Sequence, residues 1–177
     1  MTNKRTSEKP PGSFSFQYPP ARAGEVDYLQ GRFKVMLVNG RGAPDPSHRC
    51  RAQVEHEVKA RGYDAGGKRV RVTGGFDPET DDLMVILGGA EWGPFTTIRT
   101  VGAIYYLDSG DAATDKLVAF IDFGGGIGCT DGAFQLDEST LQLTPRTIQW
   151  LIVRAGSALL QRISPRLREG LPGEAMR

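Results

Sequence analysis

Residues Trp92 to Thr144 read WGPFTTIRTVGAIYYLDSGDAATDKLVAFIDFGGGIGCTDGAFQLDESTLQLT, and the spacing within this stretch decides the fold. Ile98, Val101, Ala103, Ile104, Tyr105, Tyr106 and Leu107 form a β-branched and aromatic run. It stops at the turn formers Asp108-Ser109-Gly110-Asp111. Leu117, Val118, Ala119, Phe120, Ile121 and Phe123 form a second run, which Gly124-Gly125-Gly126 is expected to end. Two apolar runs joined by a loop rich in Gly and Asp predict a hairpin. Phe134, Leu136, Leu141 and Leu143 follow at a spacing near two, as on a half-buried antiparallel edge. The stretch reads as four strands and holds no recognisable catalytic constellation. That combination predicts a structural or assembly protein and not an enzyme.

Upstream, Gly31 to Val38 predicts the first strand of the body, closed by Asn39-Gly40-Arg41-Gly42. Asp45 or Ser47 then suits a helix N-cap, and Gly62 a stop. Between them, His48 to Arg61 carries Cys50, Val54 and Val58 at i, i+4, i+8, which predicts one short surface helix with a narrow apolar stripe. Further strands are expected at Lys68–Val72 and Leu83–Leu87, separated by the acidic turn Asp77 to Asp82. Seven or eight strands with frequent turn signals predict a mainly β chain, folded as an antiparallel β-sandwich over residues 26–144.

Both ends differ from this body. Residues 1–25 hold proline pairs at 10–11 and 19–20, which favour extended backbone. Phe14, Phe16 and Tyr18 alternate within them. An extended arm that binds a neighbouring subunit by strand addition has this pattern; a disordered terminus with incidental aromatics is the other reading. At the far end, Thr144-Pro145 suits a helix start. Ile148, Leu151, Ile152, Ala155, Leu159 and Ile163 then trace one apolar helical face up to Pro165. Trp150, Val153 and Leu160 widen it, so residues 145–177 predict an amphipathic helix and tail. The expected partner-binding residues are Phe14, Phe16 and Tyr18 of the arm and Trp150, Ile152, Leu159, Leu160 and Ile163 of the helix.

Composition bounds the partners. The formal net charge is +1, which makes nucleic acid an unlikely principal partner. From Pro145 onward six Arg and two Glu give +4, which leaves −3 for residues 1–144. A basic tail on a slightly acidic body fits docking to an acidic surface, and equally fits solvated helix arginines. The longest strongly apolar stretch, Trp150 to Val153, is far below the roughly 20 residues of a membrane span. Charge after Met1 with no apolar segment behind it gives no indication of secretion. Cys50 and Cys129, distant and outside any CxxC pattern, are expected as reduced thiols.

No cofactor or metal is expected. On the predicted helix His48 and His56 would sit about 12 Å apart, too far to share an ion. Gly124 to Gly128 leads into another strand without the Lys-Ser/Thr of a nucleotide loop, so these glycines read as backbone punctuation. The Asp77 to Asp82 cluster lacks the glycine and distal glutamate of an EF-hand. Asp108, Asp111, Asp115 and Asp122 are the one dense set of carboxylates available to a carbohydrate-binding or hydrolytic sandwich.

Several segments stand along the chain in this order: Phe33-Lys-Val-Met-Leu-Val38, Gly62-Tyr-Asp-Ala-Gly-Gly-Lys68, Trp92, Ile98 to Asp108, Leu117 to Gly124, and Gly132-Ala-Phe134 through Thr144. In this order and spacing the chain resembles a family of small tailed-bacteriophage virion proteins over about residues 28–144. The resemblance implies a virion structural protein assembled in the host cytoplasm, most readily a capsid decoration (cement) protein on the head. Its implied partners are the major capsid protein or other virion proteins, met as a homo-oligomer or symmetric array. A neck or tail component is the alternative. The C-terminal helix lies beyond the resemblance.

Overall fold

Apolar residues at successive positions mark strands that are buried on both faces, and this chain has three of them side by side. The computed structural model describes residues 14–28, 30–40, 44–76 and 83–143. Its strands are β1 (Phe14–Gln17), β2 (Phe33–Val38), β3 (Lys68–Val70), β4 (Val72–Phe76), β5 (Leu83–Leu87), β6 (Ala90–Leu107), β7 (Lys116–Leu136) and β8 (Ser139–Leu143). A single helical turn, α1 (Pro19–Arg22), follows β1. Five strands form one sheet in the order β1-β7-β6-β2-β3, and three form another in the order β4-β5-β8. Every pairing is antiparallel.

Alternate residues of the central strands feed two different clusters. Val35 and Leu37 of β2, Ala103 and Tyr105 of β6, and Val118 and Ile121 of β7 belong to one cluster with Val85 and Leu87 of β5 and Leu141 of β8. Met36, Val38, Ile104, Tyr106, Leu117 and Phe120 point the other way and gather around Tyr18. A strand covered on both sides has no solvent-facing position, which is why FKVMLV, AIYYL and LVAFI do not alternate. Each large side chain buried this way stabilises the fold by roughly 1.5–3 kcal/mol.

Three expectations need correction. The segment His48 to Arg61 is not a helix: only Arg51–Gln53 makes a 3-10 turn. Elsewhere it runs extended, with Cys50 bridged to Lys116 and Glu57 to Val38. Val58 N–H donates to Leu37 O and Asn39 N–H to His56 O, each within 2.9 Å. β3 covers β2 only as far as Val35, so the rest of that edge offers backbone partners. A narrow three-residue stripe gave the helix too little apolar area to compete, whereas the extended form buries Val58. The short helix expected of the fold is therefore replaced by α1 and this turn.

The second correction concerns Gly124-Gly125-Gly126, which do not end a strand. β7 runs through them to Leu136, and β6 and β7 make one long hairpin. Third, the boundary at residue 25 does not hold as drawn. β1 pairs Phe16 with Phe120 and Gln17 with Ala119, and Tyr18 and Ala21 have no exposed surface. Residues 14–25 are part of the body, where Tyr18 caps the second apolar face.

Candidate partner-binding surface

The hairpin changes character halfway along. From Gly102↔Asp122 to Leu107↔Lys116 it has β2 on one flank, and β1 pairs with Ala119–Ile121 on the other. Beyond Asp122, β7 has only β6 beside it among the described residues, so its outer edge is free of strand pairing. This half is also irregular. Between Thr100↔Ile127 and Gly102↔Asp122, four residues of β7 (123–126) oppose Val101 alone. Between Trp92↔Phe134 and Thr96↔Gly132, Gly93-Pro94-Phe95 of β6 oppose Ala133. Such bulges re-aim side chains and interrupt an edge that would otherwise pair with any strand.

The re-aiming has a visible product. Phe95 has φ +66°, a left-handed conformation uncommon for a bulky residue, and the residue is 65 % exposed. Ile127, beside the glycine bulge, is 44 % exposed. Among the described residues these are the exposed large hydrophobics. Polar contacts hold the bulges: Gly124 N–H donates to Asp122 Oδ1 at 2.9 Å, and Asp131 N–H to Thr97 Oγ1 at 3.2 Å. Arg61 Nη1 meets Asp131 Oδ1 at 3.1 Å. Cys129, a free thiol, donates to Thr96 O at 3.3 Å.

The residues expected to bind partners fall differently. Tyr18 is buried in this chain's own core, and burial pushes its phenol well above the usual range. Phe16 is half-buried, its ring 5.0 Å from Tyr18 and 5.4 Å from Phe120. Phe14 contributes backbone pairing to Ile121. Strand addition by this segment thus occurs within the chain. Trp150, Ile152, Leu159, Leu160 and Ile163 lie outside the described residues.

A polar chain ties the other end of the hairpin to the rest of the body. Asp115 is fully buried; its Oδ2 accepts from Arg51 Nε at 2.7 Å and its Oδ1 from Ser109 N–H at 2.7 Å. Burial opposes the charged carboxylate, but the Arg51 and Ser109 hydrogen bonds outweigh it and hold the carboxyl below its ordinary value. The Arg51 guanidinium lies over the Tyr106 ring at 5.4 Å, and the Tyr106 hydroxyl donates to Gly66 O at 2.7 Å. Gly66 N–H and the Tyr63 hydroxyl both donate to Glu57 Oε1, and Leu37 N–H donates to the Tyr63 hydroxyl. Nothing in the sequence spacing brought Arg51, Asp115 and Glu57 into one network.

Three of the four aspartates are placed by other contacts or by the strand register. Asp115 is committed to Arg51, and Asp108 lies 3.2 Å from Lys34 Nζ. Asp122 sits about 20 Å along β7 from the loop, six residue steps from Lys116. No family model, curated protein or solved structure matches this chain. Among the described residues no group of three or more His, Cys, Asp or Glu is placed to hold a metal ion. The described surface offers contact chemistry: an exposed ring and an exposed isoleucine on a braced β-ribbon with a free edge.

Proposed function

We propose that this chain is a bacteriophage virion structural protein that decorates the assembled head shell, with an antiparallel β-sandwich as its body. The reading rests on the ordered set of segments that resemble those of the tailed-phage virion proteins. Their placement supports it. Phe33–Val38 is β2, residues 62–68 lead into the start of β3, Ile98 to Leu107 and Leu117 to Gly124 line the hairpin, and Gly132 onward spans the end of β7 and β8. These segments are thus the framework of one body. A small rigid module bound at every equivalent site of a shell adds many modest contacts by symmetry. Phe95 and Ile127 are suited to such contacts, because exposed apolar anchors on a braced ribbon lose little conformational freedom on docking.

The test is to purify particles that carry this chain and measure its ratio to the major shell protein by quantitative mass spectrometry. A ratio of one copy per shell subunit, or per few, is the expected result. A ratio far below that moves the protein to the neck or tail, and absence from particles overturns the virion reading.

A further inference from the structure

The register of β1 sets the direction in which the N-terminus is heading. β1 runs antiparallel to β7, with Phe14 opposite Ile121 and Gln17 opposite Ala119. Traced back from Phe14 toward Met1, the chain therefore points past Ile121 to Asp122 and onward along β7. β1 lies on the side of β7 that faces away from β6. On that same side, β7 beyond Asp122 has no strand partner among the described residues. Residues 1–13, which lie outside the described residues, thus start where the open edge starts.

Their composition suits that edge. Pro11 and Pro10 stand three and four residues before Phe14, and Gly124 and Gly125 stand three and four after Ile121. Proline gives no N–H to a ladder and is tolerated in sheets at edges and bulges, and β7 is bulged over residues 123–126. The nine residues before the prolines, MTNKRTSEK, equal in number the stretch from Ile127 to Gln135. They carry Lys4, Arg5 and Lys9 against Glu8, whereas the charged residues of β7 from Asp122 to Leu136 are Asp122 and Asp131. Opposite charges across a strand pair stabilise it. Lysine and proline on an outermost strand also stop a further chain from pairing with it.

We propose that residues 1–9 continue β1 as a cover strand, antiparallel to β7 over Ile127 to Gln135. The occupant of the edge is this chain's own segment and not a second copy. β1 already holds its root in register, and so short a tether supplies an effective concentration of about millimolar. The pairing uses backbone groups of the edge and does not depend on the virion reading.

The test is amide hydrogen exchange by NMR on the full chain. Along β7 alternate amides face β6, and the others face the open edge. From Ile127 to Gln135 the edge-facing amides should exchange about tenfold more slowly in the unaltered protein than in a full-length variant carrying Arg5→Pro, Thr6→Pro and Ser7→Pro, which removes three consecutive donors. The β6-facing amides should exchange alike in both, as they do if the body is intact. Cross-strand NOEs between residues 1–9 and β7 should appear in uniformly labelled protein and be absent from isotope-filtered spectra of a labelled and unlabelled mixture. Edge-facing amides that exchange freely in the unaltered protein overturn the proposal. Protection that survives the three prolines also overturns it, because another segment then covers the edge. NOEs between chains in the mixture overturn it by giving the edge to a second copy.

Discussion

The two halves of the β6–β7 hairpin belong to the same antiparallel pair of strands, yet they differ in composition and in what surrounds them. The half from Gly102 to Leu107, with Lys116 to Ile121, is in register apart from one slip and flanked by β1 and β2. Its side chains from Ala103 to Tyr106 and from Leu117 to Ile121 are shut off from water on both faces. The half from Trp92 to Thr100, with Asp122 to Phe134, carries two wide bulges, a free edge and the exposed Phe95 and Ile127. Neighbours and composition together divide the hairpin: where both flanks are filled and the residues are apolar the ribbon is core, and where one flank is open and glycine-rich it becomes a surface for presentation.

The largest expected effect breaks the buried half. Phe120→Ala removes a ring packed between Phe16 and the Tyr18 cluster, and urea unfolding should show a loss of about 3–5 kcal/mol. A loss below about 1 kcal/mol would mean that the N-terminal segment does not cover this face.

Next in size is Arg51→Met, which leaves Asp115 buried without its cation. Full burial of both partners would put the cost at about 3–5 kcal/mol; Arg51 is partly exposed, so about 2–3 kcal/mol is expected at pH 7. The pH dependence has a definite sign. The carboxyl pKa is lowered in the folded state, so its contribution is complete above the ordinary carboxylate value and fades as pH falls through the folded one. Stability of the unaltered protein should drop across that acid window, and the variant should show a flatter profile in the same titration. Equal slopes would show that Asp115 is not the group responsible.

Within the open half, two glycines sharpen the comparison. Gly124 has φ +73° with open space around it, so Gly124→Ala should cost only the left-handed backbone term, about 1–2 kcal/mol. Gly128 has ordinary φ, but a Cβ there would stand 1.9 Å from Ile98 O, so Gly128→Ala must push β6 and β7 apart and should cost more. Thermal unfolding of the two variants checks the order, and the reverse order would contradict the close approach of the strands at Gly128.

The smallest effects on stability belong to the exposed anchors. Ile127→Ser should stay within about 0.5 kcal/mol of the parent, as surface changes usually do. Phe95→Gly removes a ring and also relieves a left-handed backbone, and should stay within about 1 kcal/mol in either direction. Both should weaken binding to purified shells in a co-sedimentation assay. Unchanged shell binding by the double variant would remove this surface from the proposed function.

The sequence by itself determined the strands and their class. FKVMLV, AIYYL and LVAFI are too short and too β-branched for buried helices, and the Asp-Ser-Gly-Asp loop can only close a hairpin, so local chemistry was enough. The tertiary structure alone decided the rest. His48 to Arg61 carries helix signals at both ends, but its backbone pairs with an open stretch of β2, which no local pattern reports. Phe14, Phe16 and Tyr18 look alike as an alternating arm, yet Tyr18 is core because the second face of the large sheet needs a cover. The glycines at 124–126 mark a break in any sequence reading; whether a strand ends or bulges there depends on whether β6 continues alongside. The Arg51–Asp115 pair joins residues from separate segments. Their contacts exist only after the sheet has formed, because long-range proximity is a property of the packed chain and not of its spacing.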